Sequence, residues 1–384
     1  MSLWKLTNRK SRLVLVSLLV MGSINSLYGD NPYFSSFWDF YSDNRGSNKA
    51  CGRGWTGVAS MGDISSVIIN PASLNVNGKY QPYLEYIHKD KVQWLKELFG
   101  NIYLKDLSPN LLAGFGFKID DCWQSGLLYS VKNSYRFDYG EEKAYDNNGN
   151  PVGIWHAYDD FKLTSFTIPI VFNKGIIRGG VSLNYNRYSL KRVIDNQKGE
   201  ADFDKFVPEF GIILSPAKNL SFGLTYLPQT EETVVEKWNN GSEYRDSSPN
   251  IFPSKIRLGM RYKLDTPISF LTDYNYSNDS KDKSLIDRDD LHFGLEYYPN
   301  KSLTLRTGFF DQKDYRKAGC YFEEETGDYD QRFITLGASY KIRFFTMNLA
   351  LADSQPLSYG KIEQRYINAG MSFDFGGNIN GDCQ

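Results

Sequence analysis

A regular alternation of apolar and polar residues, broken by tight turns and repeated along the chain, constrains this polypeptide more than any other feature. Within residues 291–310 (LHFGLEYYPNKSLTLRTGFF), Leu291, Phe293, Leu295 and Tyr297 alternate with His292, Gly294, Glu296 and Tyr298. After a Pro-Asn-Lys-Ser turn, Leu303, Leu305, Thr307 and Phe309 alternate with Thr304, Arg306 and Gly308. Successive side chains of a strand point to opposite faces, so each stretch reads as a strand with one apolar face and the two together as a hairpin. The same form recurs over residues 111–131 around Asp120-Asp121, 166–185 around Asn173-Lys174-Gly175, and 206–226 around Ser215-Pro216-Ala217-Lys218-Asn219. It returns over 256–276 around Asp265-Thr266-Pro267 and over 333–351 around Tyr340-Lys341. Single strands at residues 81–88 and 366–375 bring the total to about fourteen, an even number as in single-chain bacterial barrels.

The connections alternate in length. Tight turns take every second place, and longer polar segments at 139–160, 230–249, 278–289 and 311–331 take the others. Outer-membrane barrels keep short turns on the periplasmic side and long loops outside, and a propeller or soluble sandwich, the competing all-β reading, shows this parity less readily. Composition agrees: 27 Tyr and 25 Phe coexist with a mean hydropathy of -0.46. Strands that turn one face to lipid and the other to a polar lumen have that signature, with aromatic girdles at both interfaces. The expected fold is an all-β, transmembrane, up-and-down antiparallel β-barrel of about fourteen strands.

Lys5, Arg9, Lys10 and Arg12 precede an apolar run at residues 13–21 (LVLVSLLVM), the form of a secretory signal cut near Gly29; a short membrane anchor is the competing reading. Beyond residue 30 no run of about 18 apolar residues offers a spanning helix. The formal net charge of -1 gives no basic excess to release counterions from nucleic acid. The four cysteines, Cys51, Cys122, Cys320 and Cys383, have no metal-like spacing; export permits disulfides, but the sequence does not pair them. The expected organisation is a signal peptide at 1–29, an N-terminal plug at 30–77, the barrel at 78–375 and a short polar tail at 376–384.

Residues 30–77 do not alternate. An aromatic-rich start (Tyr33, Phe34, Phe37, Trp38, Phe40, Tyr41) leads into Gly52-Arg53-Gly54-Trp55-Thr56-Gly57-Val58-Ala59. The segment ends in Gly62-Asp63-Ile64-Ser65-Ser66-Val67-Ile68-Ile69-Asn70-Pro71-Ala72-Ser73-Leu74. Asp63 is suited to cap a short helical turn, and Asn70 before Pro71 is pushed out of helical geometry and would end it. Glycines let backbone pack close to a wall. This segment resembles the N-terminal plug of the FadL/TodX-like outer-membrane transporters of hydrophobic compounds, with Ile64 and Ser66 in place of two alanines and Ser73 in place of a glycine. The resemblance implies a plugged channel for passive uptake of long-chain fatty acids or similar amphiphiles, with Gly54, Gly57, Asp63, Asn70, Pro71 and Ala72 as the plug or gating motif. PorV-type relatives imply the alternative of an outer-membrane scaffold or shuttle for secreted or surface proteins; a general porin is a third reading, which the plug opposes.

If the apolar residues face lipid, Ile256, Leu258, Met260 and Tyr262 point outward, and Lys255, Arg257, Arg261 and Lys263 point inward or reach an interface. Arg306 joins them by parity, and Glu209, Asp273, Glu296 and Asp374 supply inward acid. Arg257, Arg261 and Arg306 are the candidate holders of a ligand carboxylate; pairing with those acids or with the plug is the competing reading. Trp155 and Trp238 are candidates for a capture surface in the outer loops, or for the interfacial aromatic girdle. Scattered His88, His156 and His292, with no nucleophile elbow, paired-His motif or phosphate loop, give no support to catalysis. No cofactor or metal is expected. The expected partners are hydrophobic small molecules, outer-membrane lipids and the barrel-assembly machinery, which the aromatic-ended strand at 366–375 resembles a substrate of.

Overall fold

The structure is a computed structural model that describes residues 47–89, 92–94, 102–106, 110–145, 151–194, 197–245, 250–280, 286–313, 330–357 and 364–376. The expected signal segment, residues 30–46 of the expected plug, Cys320 and Cys383 lie outside the described residues.

Fourteen antiparallel strands close on themselves. In chain order they are β1 Tyr80–Lys89, β2 Asn110–Lys118, β3 Trp123–Tyr145, β4 Pro151–Lys174, β5 Ile177–Ile194, β6 Gln197–Ala217 and β7 Leu220–Leu227. They continue as β8 Lys255–Lys263, β9 Ile268–Ser277, β10 Arg288–Tyr297, β11 Leu303–Gln312, β12 Gln331–Ile342, β13 Phe345–Asp353 and β14 Arg365–Phe373. Each strand pairs with its sequence neighbours, and β1 closes the ring on β14 with Tyr83 opposite Ser372 and His88 opposite Ile367. Closure removes the unpaired edge that an open sheet would present to hydrocarbon, where no water satisfies it. The short links at 119–122, 175–176, 218–219, 264–267, 298–302 and 343–344 all fall at one end, as the alternating loop lengths require.

The barrel is inside-out relative to a soluble protein. Leu258, Phe293, Leu336 and Leu349 stand 48%, 48%, 55% and 57% exposed on the outside, whereas Glu85, Asp273 and Glu296 are 0%, 2% and 4% exposed within. Only a hydrocarbon exterior makes that exchange favourable. Aromatic pairs ring the short-turn end, among them Trp123 with Phe172 and Phe345 with Phe373, both at 4.9 Å; Tyr185 lies tilted against Phe206 at the same separation toward the other end.

Two details depart from the sequence reading. Residues 139–160, expected as a polar loop, are largely strand: β3, β4, β5 and β6 run for 23, 24, 18 and 21 residues and form a sheet that rises beyond the rest of the ring. The reason lies in the phase of the alternation. Along β5, Val181 and Leu183 face outward with Ser182 and Asn184 buried within; higher up, Tyr188 and Leu190 are buried within and Arg187 and Lys191 face outward. The apolar face switches sides where the sheet leaves the bilayer, so a pattern that seeks one continuous apolar face loses the strand there. The second departure is the β12–β13 turn, which lies at Arg343-Phe344 instead of Tyr340-Lys341. Arg343 takes a left-handed φ of 52°, a conformation that glycine or asparagine would have signalled.

Placing arginine at the lipid-facing Leu258 is expected to destabilise the barrel by about 2–4 kcal/mol when bilayer unfolding is followed by denaturant titration. Unchanged stability of Leu258→Arg would contradict the assigned exterior.

Candidate functional site: the plugged lumen

Residues 47–78 lie inside the ring. Their path is set by small local devices. Ser47 caps the single turn α1, Asn48–Cys51, by accepting from the Ala50 amide at 3.3 Å. Gly54 and Trp55 both take left-handed φ values, 69° and 55°, and turn the chain tightly. Asp63 caps the 3-10 turn Ile64–Ile68 by accepting from the Ser65 amide at 3.2 Å. Asn70, held extended before Pro71, starts a second 3-10 turn, Pro71–Ser73, with its side chain accepting from the Ala72 amide at 2.9 Å. Its Nδ2 also donates to the carbonyls of Val58 at 2.6 Å and Ile212 at 3.3 Å. Asn70 thus fastens the plug to itself and to β6.

An irregular segment buried in a bore has amide and carbonyl groups that no ladder satisfies. The wall supplies the partners. Glu85 accepts from the Asn48 amide at 3.1 Å, and Asp273 accepts from the Gly57 and Val58 amides at 2.6 and 3.0 Å. On the other side, Arg178 donates to the carbonyls of Ala72 and Leu74, and Arg257 donates to those of Ile68 and Ile69 at 3.1 and 3.2 Å. Carboxylates therefore grip plug N–H groups and guanidiniums grip plug carbonyls, all with charge assistance. Glu296 ties Arg53 of the plug at 3.0 Å and Arg306 of the wall at 2.8 Å, while Tyr298 donates to its second oxygen at 2.6 Å.

The fit needs bare backbone on the wall. A Cβ at Gly180 would lie 2.4 Å from the Ala72 nitrogen, one at Gly211 2.0 Å from Asn70 Oδ1, and one at Gly223 2.1 Å from the Val58 oxygen. Gly180 stands opposite Gly211, Gly223 opposite Gly259, and Gly294 opposite Gly308, so glycines form a collar at plug height. The sequence reading missed this collar. Its signal was present as glycines at lumen-facing positions of successive strands.

The candidate residues fall as follows. Gly54, Gly57, Asp63, Asn70, Pro71 and Ala72 all belong to the packed plug; Gly54 donates to Thr335 Oγ1 at 2.8 Å and its carbonyl lies 2.9 Å from His292 Nδ1. Arg257 and Arg306 face the lumen but hold plug carbonyls and Glu296 respectively. Arg261 sits apart from them, toward the short-turn end, within 3.4 Å of Ser269 Oγ and 3.3 Å of the Tyr298 hydroxyl. Trp155 lies on β4 and Trp238 pairs with Gly199 of β6. Cys51 is buried and Cys122 exposed, both as free thiols.

Beside the plug a small, water-sized recess of about 30 Å³ is lined by Lys255, Arg257, Asn275, Arg288, Asp290 and His292, among others. His292 forms one wall of it and stacks on Phe310 at 5.5 Å, and Phe310 stacks on Phe333 at 4.4 Å, with Tyr366 beyond. A charged recess therefore adjoins a buried aromatic run. Among the described residues, no cluster of His, Cys, Asp and Glu is arranged to hold a metal ion.

Comparison with known proteins places this architecture. The toluene transporter TodX of Pseudomonas putida is 14% identical, with a TM-score of 0.60 over 87% of this chain and 98% of that one. A Pseudomonas aeruginosa FadL homologue is 11% identical, with a TM-score of 0.62 over 86% and 98%. The fold is FadL/TodX-like. No family model matches the sequence, and no curated protein matches it.

Asp63 gives the plug a pH response. Burial alone would raise its carboxyl, but Lys49 at 2.7 Å and the bonds from Ser65 outweigh this and hold it below its ordinary value of 3.8. A carboxyl with a lowered folded-state pKa stabilises above the unfolded value and loses that contribution as pH falls through the folded one. Limited proteolysis within 47–78 is therefore expected to accelerate only below about pH 4 in the native chain. In Asp63→Asn it is expected to be faster already at neutral pH, by about tenfold; equal rates would contradict the Lys49 pairing. Gly180→Val is expected to expose the same segment to protease, because the added side chain has no room beside Pro71 and Ala72. A native digestion pattern would refute the collar.

Proposed function

We propose that this chain is an outer-membrane channel for passive uptake of hydrophobic or amphiphilic molecules, long-chain fatty acids among them. The observation that carries this reading is the adjacency of the charged recess to the aromatic run His292–Phe310–Phe333–Tyr366, which packs against a fitted plug. The recess offers charge to a polar head; the rings are covered by Ala50, Cys51 and Trp55 of the plug, so an apolar tail gains burial against them only as that segment gives way. Its fold is that of a protein described as a toluene transporter and of a FadL homologue, which agrees with the reading. Arg257 contributes as a positive edge of the recess while still bonded to the plug. Arg306, enclosed with Glu296, serves the structure of the bore, and Arg261 lies apart from the recess.

The route out is lateral in this reading. Ser125 pairs with Ile170 and Leu128 with Thr167, but Gly126 and Leu127 between them have no registered partner on β4. The opposing Pro169 brings no N–H to the ladder, and the plug's Ile64 rests against Gly126. The β3–β4 seam is thus thinly bonded at the point where the plug meets it. Movement follows the solute gradient, and no energy source is invoked.

Cells that express the full chain are expected to take up radiolabelled oleate faster than cells without it. Phe333→Glu, with its barrel intact by heat-modifiable gel mobility, is expected to lose at least about tenfold of that increment. Equal uptake with and without the protein would refute the proposal.

A further inference from the structure

The tall sheet formed by β3–β6 has an inner face made of Tyr135, Phe161, Leu163, Tyr188, Leu190 and Ala201, each at most 6% exposed. What covers the outer part of that face is an arm from the β7–β8 connection. Val234 of the arm is buried, and Phe252 on its returning stem packs on Tyr188 at 5.1 Å. The stem and arm pair as a short ladder, Thr230 opposite Phe252 and Glu232 opposite Asn250. Above it, Lys237 and Trp238 pair with Glu200 and Gly199 on the edge of β6.

Two ionic contacts among the described residues join the arm to the sheet: Lys205 of β6 lies 3.4 Å from Glu232, and a more deeply buried one lies on the inner face. Arg192 of β5 lies 3.0 Å from Asp159 of β4 and 3.3 Å from Glu236 of the arm, with side-chain exposures of 15%, 2% and 9%. Arg192 and Asp159 both belong to the sheet; Glu236 is the arm's share of the contact. Gly199 provides the second sign of close seating. A Cβ there would lie 2.3 Å from Glu236 Oε1 and 2.9 Å from the Trp238 ring. The wall is bare backbone where the arm's acid passes.

We propose that the arm Thr230–Trp238 is a closed lid over an aromatic vestibule, latched by Glu236 on the Asp159–Arg192 pair, and that its release admits apolar solutes to the inner face of β4–β6. The lid opens at its ionic contacts and at the short pairing of Lys237 and Trp238 with β6, which water can replace, whereas the sheet beneath keeps its own ladder. Such an arm, closed in the absence of solute, also keeps an apolar face out of water that would otherwise favour aggregation. Admission of solute rests on the transport reading above; the latch does not.

The test uses the full-length protein on intact cells, with Cys51→Ala, Cys122→Ser, Cys320→Ser and Cys383→Ser removing native thiols. Tyr188→Cys, beneath Phe252, is then labelled with a membrane-impermeant maleimide. With the latch intact, labelling is expected to be slow. Glu236→Gln, which leaves Arg192 with Asp159, and Gly199→Val, which props the arm away, are each expected to raise the labelling rate by at least about tenfold. Phe203→Cys, stacked on Tyr188 at 4.5 Å, provides a second reporter should the first not fold. Fast labelling with the latch intact, or a rate unmoved by both variants, overturns the lid. A barrel whose labelling responds in this way but which takes up no oleate retains the lid and refutes the transport reading instead.

Discussion

Filling the bore is the constraint on which the rest of the structure depends. A ring of fourteen strands encloses a lumen, and the chain fills it with a segment that has almost no regular secondary structure. Each buried amide and carbonyl of that segment needs a partner, since an unsatisfied one costs about as much as several ordinary hydrogen bonds contribute. The wall answers with sorted charge: Glu85 and Asp273 where the plug offers N–H groups, Arg178 and Arg257 where it offers carbonyls. The lumen charges therefore have structural duties before any ligand arrives. They also explain how a membrane barrel tolerates so many ionisable side chains within it.

The exterior and the plug impose opposite demands on the same strands. Every second residue must be apolar for lipid, while its neighbours must be polar or absent for the plug. Absence is as important as polarity. Gly180, Gly211, Gly223, Gly259, Gly294 and Gly308 lie where the plug backbone presses on the wall, and their Cβ positions are already occupied by plug atoms. In the tall sheet the demands reverse, because water lies outside and the vestibule within. The phase change along β5, from Val181 and Leu183 outward to Tyr188 and Leu190 inward, marks the level at which the bilayer ends.

Most of the barrel was legible in the sequence because lipid enforces alternation residue by residue. Residues 291–310 displayed two strands and their turn, and the register of β10 with β11 follows it. Legibility ended where that enforcement ends. Above the membrane the apolar face crosses the sheet, so residues 139–160, the tops of β3 and β4, read as a polar loop; at Arg343 the turn relies on a left-handed arginine that no turn motif announces. The plug turns at Asp63 and Asn70 were readable from side chains that cap locally. The partners of Arg257 and Arg306 were not, because Ile68, Ile69 and Glu296 reach them only through closure of the ring. Alternation gave the face of each arginine but not what it holds.

A stoppered cylinder and an open porin differ most directly in the current they pass. In a planar bilayer, reconstituted native protein is expected to insert without steady ionic conductance, because the plug backbone meets the wall at van der Waals distance around the collar. Long-lived, ohmic openings of porin size in the native chain would contradict it.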